Sequence, residues 1–126
     1  MDDGLVGSLP QLKRLEVMNN IKASDIQCVL NQWALGELNE SQVHAWAEDR
    51  FCTDDYNCES EAANEVLGRL DTMNMNLVTS EDIPVLIEAL FSPDFEFILI
   101  THDRQVDITA RKMELRSVPL YMQFCL

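Results

Sequence analysis

Lysine, arginine and glycine are scarce in this sequence. Its 126 residues contain nine Lys and Arg side chains against 22 Asp and Glu side chains, which gives a formal net charge of −13. A field of this sign repels nucleic acids and anionic membranes, so we expect neither as a partner. The four glycines are too few and too scattered for a phosphate-binding loop, and the sequence contains no G-x-S-x-G nucleophile elbow.

Long hydrophobic runs are also missing. No stretch approaches 18 consecutive apolar residues, so no membrane-spanning helix is predicted. The first residues, 1–4, are acidic and no apolar segment follows them, unlike a secretory signal, so we expect a cytoplasmic protein. The length and an apolar fraction of 47% predict one folded domain over residues 1–126, with residues 1–9 frayed.

Residues that could carry out catalysis or bind a metal or cofactor form no motif. The two histidines, His44 and His102, are isolated, and the pair Cys52-x5-Cys58 matches no zinc or redox spacing. The loop that starts at Asp54 lacks the central ligands and the turn glycine of a calcium-binding EF-hand. We therefore expect a non-enzymatic protein with no metal and no cofactor, whose cysteines are reduced.

Hydrophobic periodicity predicts an all-α fold, a single-domain bundle of five to six helices built from antiparallel hairpins. Apolar residues recur at spacings of three and four, which is typical of helices that bury one face. The predicted helices cover residues 10–19, 24–35, 39–51, 60–73, 79–91 and 92–118, the last bent or broken near Asp103. The predicted helix starts are Ser24 with Gln27, Asn39 with Gln42, Thr79 with Asp82, and Ser92 followed by Pro93.

Two segments need a choice between alternatives. Gly36 is predicted to end the second helix in a left-handed conformation and to begin a helical hairpin. The segment 95–100 is rich in aromatic and β-branched residues and also suits a strand. We favour a helix there because apolar residues continue at helical spacing as far as His102.

The negative charge is concentrated in the middle of the chain. Residues 36–102 contain fifteen acidic side chains against only Arg50 and Arg69, so this segment accounts for a charge of −13. We predict that part of it forms a binding surface for a basic protein, with an aromatic residue at its centre. The predicted partner-binding residues, called the acidic set below, are Glu48, Asp49, Asp54, Asp55, Tyr56, Glu59, Glu61 and Glu65. A solvated surface that only keeps the protein soluble is the alternative.

Three short motifs carry a resemblance to other proteins. They are W-A-x-G-E-L from Trp33, V-H-x-W-A-E from Val43 and E-D-I-P-x-L from Glu81. The stretch 24–93 that contains them resembles a group of small, uncharacterised bacterial helical proteins, which implies no activity. In size, acidity and its first hairpin the chain also resembles the helical immunity proteins of colicin-type and contact-dependent inhibition systems. That likeness implies a cytosolic inhibitor that covers the basic active site of a nuclease toxin.

A second class of function is open on the sequence alone. The apolar tail 120–126 is expected to dock on the body, and together with Met113 it offers an apolar surface for association. A structural or regulatory protein that binds through this surface, with a homodimer as one form, is therefore the alternative to an acidic inhibitor.

Overall fold

The structure is a computed structural model that describes residues 20–51 and 57–126. These residues are mostly helical, which confirms the predicted all-α class. The elements are β1 (Asn20–Ile21), α1 (Ala23–Ala34), α2 (Glu40–Phe51), β2 (Asn57–Cys58), α3 (Glu61–Asp71), α4 (Met73–Asn76), α5 (Ile83–Leu90), α6 (Phe95–Gln105) and α7 (Ile108–Leu115), with 3₁₀ turns at Ser80–Asp82 and Met122–Phe124. The helix predicted over 10–19, the frayed residues 1–9 and Asp54, Asp55 and Tyr56 lie outside the described residues.

The first hairpin forms as its turn sequence predicts. Gly36 has a φ of +81°, and its N–H donates to the carbonyl of Trp33, which ends α1. Asn39 and Gln42 then cap α2 reciprocally, since the side chain of each accepts the backbone N–H of the other. The stripe of α1 is buried at Ile26, Val29, Leu30 and Trp33.

The predicted N-cap of α1 at Ser24 is wrong by two residues, because the N-cap is Lys22. The helix begins at Ala23, where the Asp25 carboxylate accepts the N–H of Lys22 at 3.0 Å. The N–H of Ala23 donates to Glu59 at 2.9 Å, across 36 residues of sequence. The first N–H groups of a helix have no partner within it. Here a distant carboxylate provides one, which no local capping pattern can indicate.

The two short strands place the starts of α1 and α3 side by side. Asn20 pairs with Asn57 and Ile21 with Cys58 in parallel, although the sequence analysis predicts no strand. Ser60 then caps α3 by accepting the N–H of Ala63. The pairing of β1 with β2 and the Glu59 cap therefore hold the starts of α1 and α3 at one end of the molecule.

The predicted fourth helix ends at Asp71, and a separate short helix, α4, follows it. Leu77, with a φ of +56°, ends α4 in the left-handed conformation, and Thr79 with Asp82 forms the predicted capping box before α5. The predicted sixth helix is broken after Gln105, close to the predicted position: Val106 is extended and Asp107 caps α7 through the N–H of Ala110. The described residues therefore form seven α-helices.

The segment 95–100 is helical, as predicted, but α6 begins later than Ser92. The Ser92 hydroxyl accepts the N–H of Asp94 within a turn, and the helix starts at Phe95. One residue of the predicted α5 stripe is also misplaced, since Phe91 is 57% exposed. Its position at the C-terminal end of α5 places it beyond the buried face.

The buried side chains form one cluster with α3 against α1, α2 and α5. Helices α2 and α3 run antiparallel, since His44 contacts the end of α3 at Asp71 while Phe51 contacts Gly68 further back. The complete burial of one Leu or Ile side chain stabilises the fold by about 1.5–3 kcal/mol. The largest fully buried side chains are Ile26, Leu30, Val43, Val66, Leu67, Leu70, Met73, Leu77 and Leu99.

The C-terminal tail docks on the body, as expected. Tyr121 is buried, and its hydroxyl donates to the carbonyl of Val78 at 2.6 Å. Burial raises the pKa of this phenol, and the negative charges of Glu40 and Asp82 raise it further. Met122 and Leu126 remain exposed on the outer side of the tail.

Candidate functional site

A shallow groove of about 400 Å³ lies at the end of the molecule where α1 and α3 begin. We call it the acidic groove, and its lining residues are Ala23, Glu59, Ser60, Glu61, Ala62, Leu90, Phe91, Ser92, Pro93 and Phe95. Its floor is apolar and the turn between α5 and α6 supplies its aromatic wall. Its only formally charged side chains are two carboxylates, since none of these lining residues is Lys, Arg or His.

The described members of the acidic set lie on two helices and are all exposed. Glu48 and Asp49 lie in the last turns of α2, while Glu61 and Glu65 lie in the first half of α3. Glu59 precedes the N-cap of α3. Glu59 and Glu61 both line the acidic groove, whereas Glu65 lines a different cavity. The set is therefore divided between surfaces in the part that the structure describes.

Glu59 and Glu65 of the acidic set also form hydrogen bonds within the described part of the chain. Glu59 caps the start of α1 through the N–H of Ala23, although its side chain is exposed enough to line the acidic groove. Glu65 accepts a hydrogen bond from Arg69 at 3.3 Å, one turn later on α3. A positive helix end at α3 favours Glu59 and Glu61, so part of the cluster stabilises the fold.

The only two cations of the acidic segment, Arg50 and Arg69, are both engaged. The Arg50 guanidinium stacks 4.4 Å from the ring centre of Trp46 and donates to its carbonyl. Arg69 forms a bidentate pair with Asp103, at 2.8 and 3.0 Å. These contacts raise the pKa of Arg69, chiefly through the hydrogen bond to Asp103.

A second cavity of about 560 Å³, here called the polar cleft, lies between α3, α6 and α7. Its inner end holds Asp82, which is 4% exposed and accepts four hydrogen bonds. Arg111 donates two of these at 2.8 Å, His102 Nε2 donates one at 2.6 Å and the Thr79 N–H donates one at 2.9 Å. Arg111 also donates to the carbonyl of Leu77.

The charges of this network stabilise one another. Burial on its own would raise the pKa of the Asp82 carboxyl, but the hydrogen bonds from Arg111, His102 and Thr79 outweigh it and lower that pKa. The hydrogen bond to Asp82 likewise raises the pKa of Arg111. Asp82 is therefore an ionised, almost fully buried acceptor, and it joins α5, α6 and α7.

The sequence indicates only part of this network. Asp82 is predicted as a capping residue and His102 as a residue on the buried face of α6, but nothing marks Arg111 as their partner. His44, which is isolated in the sequence, is half-buried and contacts the carbonyl of Asp71 at 2.9 Å. Sequence separations of 20 and 29 residues hide the two contacts of Asp82 from any local pattern.

The described ranges contain no cluster of metal ligands, and their cysteines are free thiols. Within residues 20–51 and 57–126, no group of three His, Cys, Asp or Glu side chains could hold a metal ion. Cys28, Cys58 and Cys125 are free thiols, and burial raises the pKa of Cys58. None of the helices in these ranges is both long enough and apolar enough to cross a membrane.

Comparison with known proteins adds no relative. The chain matches no protein-family model, no curated protein and no solved structure. The fold and the two cavities are therefore the basis for any statement about function.

Proposed function

We propose that this protein binds a basic polypeptide through the acidic groove, with Glu48 of the acidic set contributing to the same contact, and acts as an immunity-type inhibitor. The observation that supports this most directly is the make-up of the acidic groove. Exposed Glu59 and Glu61 line it beside apolar residues, Phe91 is exposed there, and none of its described lining residues is a cation. The resemblance to immunity proteins is consistent with this role but rests on sequence alone.

The groove suits the side chain of a lysine or arginine from the partner. Such a side chain has an apolar stem and a charged head, so it can lie along Ala62 and Leu90 while its head meets the carboxylates. Phe91 then provides an aromatic anchor of the kind that contributes most to protein interfaces. Each part of the groove therefore has a counterpart in a basic partner.

Glu48 supports the same proposal from a different direction. It lies in the last turn of α2, where the negative end of the helix dipole disfavours a carboxylate by about 0.3–1 kcal/mol. Its position therefore gives the helix no stabilisation through its dipole. A contribution to binding a cationic partner accounts for its presence where helix capping does not.

The mechanism is occlusion without chemistry. A net charge of −13 raises the rate of encounter with a basic partner, and the groove fixes the orientation after contact. The bound inhibitor then covers the cationic surface that the partner needs for its own substrate. Such binding weakens as salt rises, because exposed charges are screened beyond about 8–10 Å at physiological ionic strength.

The test compares two triple variants with the same charge change. Glu48, Glu59 and Glu61 are replaced by Gln in one, and Glu37, Glu81 and Glu114 in the other; all six are exposed. Gln at 59 keeps an acceptor for the N–H of Ala23. In capture from a lysate of the source cell, we expect a stoichiometric basic protein that salt releases, that the first variant loses and that the second retains. If both variants lost the captured protein equally, its binding would depend only on total charge and not on the groove, and the proposal would be wrong.

A second candidate function, self-association, is favoured by the outer face of α6. Phe97 is 73% exposed and Ile100 49% exposed on this face. Glu96 and Arg104 are both exposed and lie four residues on either side of Ile100. If two copies of α6 pack antiparallel about Ile100, Glu96 of each copy faces Arg104 of the other, so the face is complementary to itself. This face replaces the docked tail as the surface for the homodimer alternative.

Charge exchange tests this candidate by analytical ultracentrifugation. Glu96→Arg or Arg104→Glu alone should weaken the dimer because like charges then meet, and the double variant should restore it. The contact between two such helices falls below about 1,200 Å², so we expect a weak dimer. A monomer at every concentration, or a dimer indifferent to the single changes, would exclude this interface.

A further inference from the structure

The polar cleft has the size and the mixed lining of a ligand site. Its volume of about 560 Å³ lies within the range of about 300–1,000 Å³ that is usual for small-molecule sites. Phe51, Leu86, Val106 and Ile108 supply apolar surface from three different parts of the chain. Polar and charged side chains make up more than half of the lining residues, so the cleft can select a ligand by its charge and its hydrogen-bonding groups.

Both guanidinium groups in the cleft are already neutralised. Arg69 forms a bidentate pair with Asp103, and Arg111 forms a bidentate pair with Asp82. With Glu65 added, three carboxylates face two guanidinium groups, so the lining is net negative when His102 is neutral. None of the described lining residues offers an anionic ligand a free cation, and such a ligand would meet the exposed carboxylates of Glu65 and Asp103.

With a neutral ring, His102 leaves one acceptor unused at this surface. Its Nε2 contacts the ionised Asp82 carboxylate, which can only accept, so the proton of the neutral ring lies on Nε2. Nδ1 is then an acceptor, and none of residues 20–51 and 57–126 donates to it. Since His102 lines the cleft and is partly exposed, Nδ1 is available to a ligand that carries a donor.

We propose that the polar cleft binds a small organic ammonium ion with an apolar body. The ammonium group donates to His102 Nδ1, and the carboxylates of Glu65 and Asp103 supply the opposite charge. The apolar body lies against Val106 and Ile108, beside the ring of Phe51. This site is separate from the acidic groove, and it stands whether or not the protein binds a basic partner.

Three probes of the same shape and different charge test the ligand class. They are 2-phenylethylammonium, the neutral 2-phenylethanol and the anionic phenylacetate, each titrated into the 15N-labelled protein and followed by NMR. We expect the ammonium ion to bind with a Kd on the order of millimolar, as is usual for so small a ligand. The alcohol should bind at least about tenfold more weakly, and the carboxylate not at all, because the cleft lacks a free cation.

Two variants locate the binding, each with a matched control. His102→Phe removes the acceptor and should weaken ammonium binding at least about tenfold, while His44→Gln, outside the cleft, should not change it. Ile108→Trp fills the cleft and should abolish binding, whereas Leu35→Trp, at an exposed position outside the cleft, should not. If His102→Phe fails to fold, the Ile108 and Leu35 pair still decides the location.

The outcomes that overturn the proposal are equally definite. Phenylacetate binding as tightly as the ammonium ion would refute the charge argument. Absence of binding by all three probes at concentrations of about 10 mM would show that the cleft is not a site for this class of ligand. Binding that both tryptophan variants leave intact would place it elsewhere on the protein. None of these results bears on capture of a basic protein, which uses other variants.

Discussion

Replacing Arg111 by leucine tests whether the Asp82 network holds α5, α6 and α7 together. The change removes both charge-assisted hydrogen bonds to Asp82 and the bond to the Leu77 carbonyl. Breaking a buried ion pair by removing one partner costs about 3–5 kcal/mol, because the other charge stays buried without compensation. Since domains of this size have a free energy of unfolding of about 5–15 kcal/mol, the loss should be about a fifth of it or more.

The measurement is urea unfolding followed by circular dichroism at pH 7, with Arg104→Leu as the control. Arg104 is exposed, so its loss should change the free energy of unfolding by no more than about 0.5 kcal/mol. An Arg111→Leu penalty of less than about 1 kcal/mol would refute the assignment of Asp82 as an ionised, buried partner.

The penalty should also depend on pH, with a sign that follows from the pKa of Asp82. In the wild type that pKa lies below its ordinary value of about 3.9, so the contribution of Asp82 is fully present above this value and is lost as pH falls through the lower, folded one. Without Arg111, burial raises the pKa, and protonation relieves the uncompensated charge. We therefore expect the Arg111→Leu penalty to shrink by about 1 kcal/mol or more between pH 7 and about pH 4.5. A penalty that stays constant or grows would contradict this reasoning.

Three further changes have outcomes that follow from single contacts. Tyr121→Phe leaves the Val78 carbonyl without its donor and should cost about 1–3 kcal/mol at pH 7. Because burial raises the pKa of Tyr121, its contribution is present below the unfolded value of about 10 and is lost as pH rises, so this penalty should shrink in alkaline urea melts. Gly36→Ala should destabilise by about 1–2 kcal/mol in the same assay, since only the positive φ opposes it. Gly68→Ala should be neutral or stabilising by up to about 1 kcal/mol, because its Cβ would lie 3.6 Å from the Phe51 ring in an ordinary helix; a melting shift in the opposite direction for either glycine would contradict this account.

Local patterns predict local structure well in this chain. Asn39 with Gln42, Gly36 and the Thr79–Asp82 pair are all confirmed, because each acts within three or four residues of itself. Helical spacing also identifies the buried faces of α1 and α3. The boundaries fail at Ala23, where the partner that begins the helix is Glu59, 36 residues away.

The candidate sites are less accessible to sequence reasoning. Glu59 and Glu61 are predicted to act together because they are neighbours in sequence. Their juxtaposition with Leu90 and Phe91 depends on how α5 packs beside the start of α3. In the polar cleft, the choice of Arg111 as the partner of Asp82 depends on the position of α7, which no periodicity fixes.

The segment 77–82 has a consequence for how the chain folds during synthesis. Its polar groups receive hydrogen bonds from residues that are synthesised much later, namely His102, Arg111 and Tyr121. Tyr121 follows its acceptor, Val78, by 43 residues. Until those residues have left the ribosome, Asp82 cannot be buried with its charge balanced. Helix α5 therefore stays loosely packed until then. Folding of this domain is therefore completed from its C-terminal end, and a chain released before Arg111 should be removed by cellular proteases although α1, α2 and α3 are already complete.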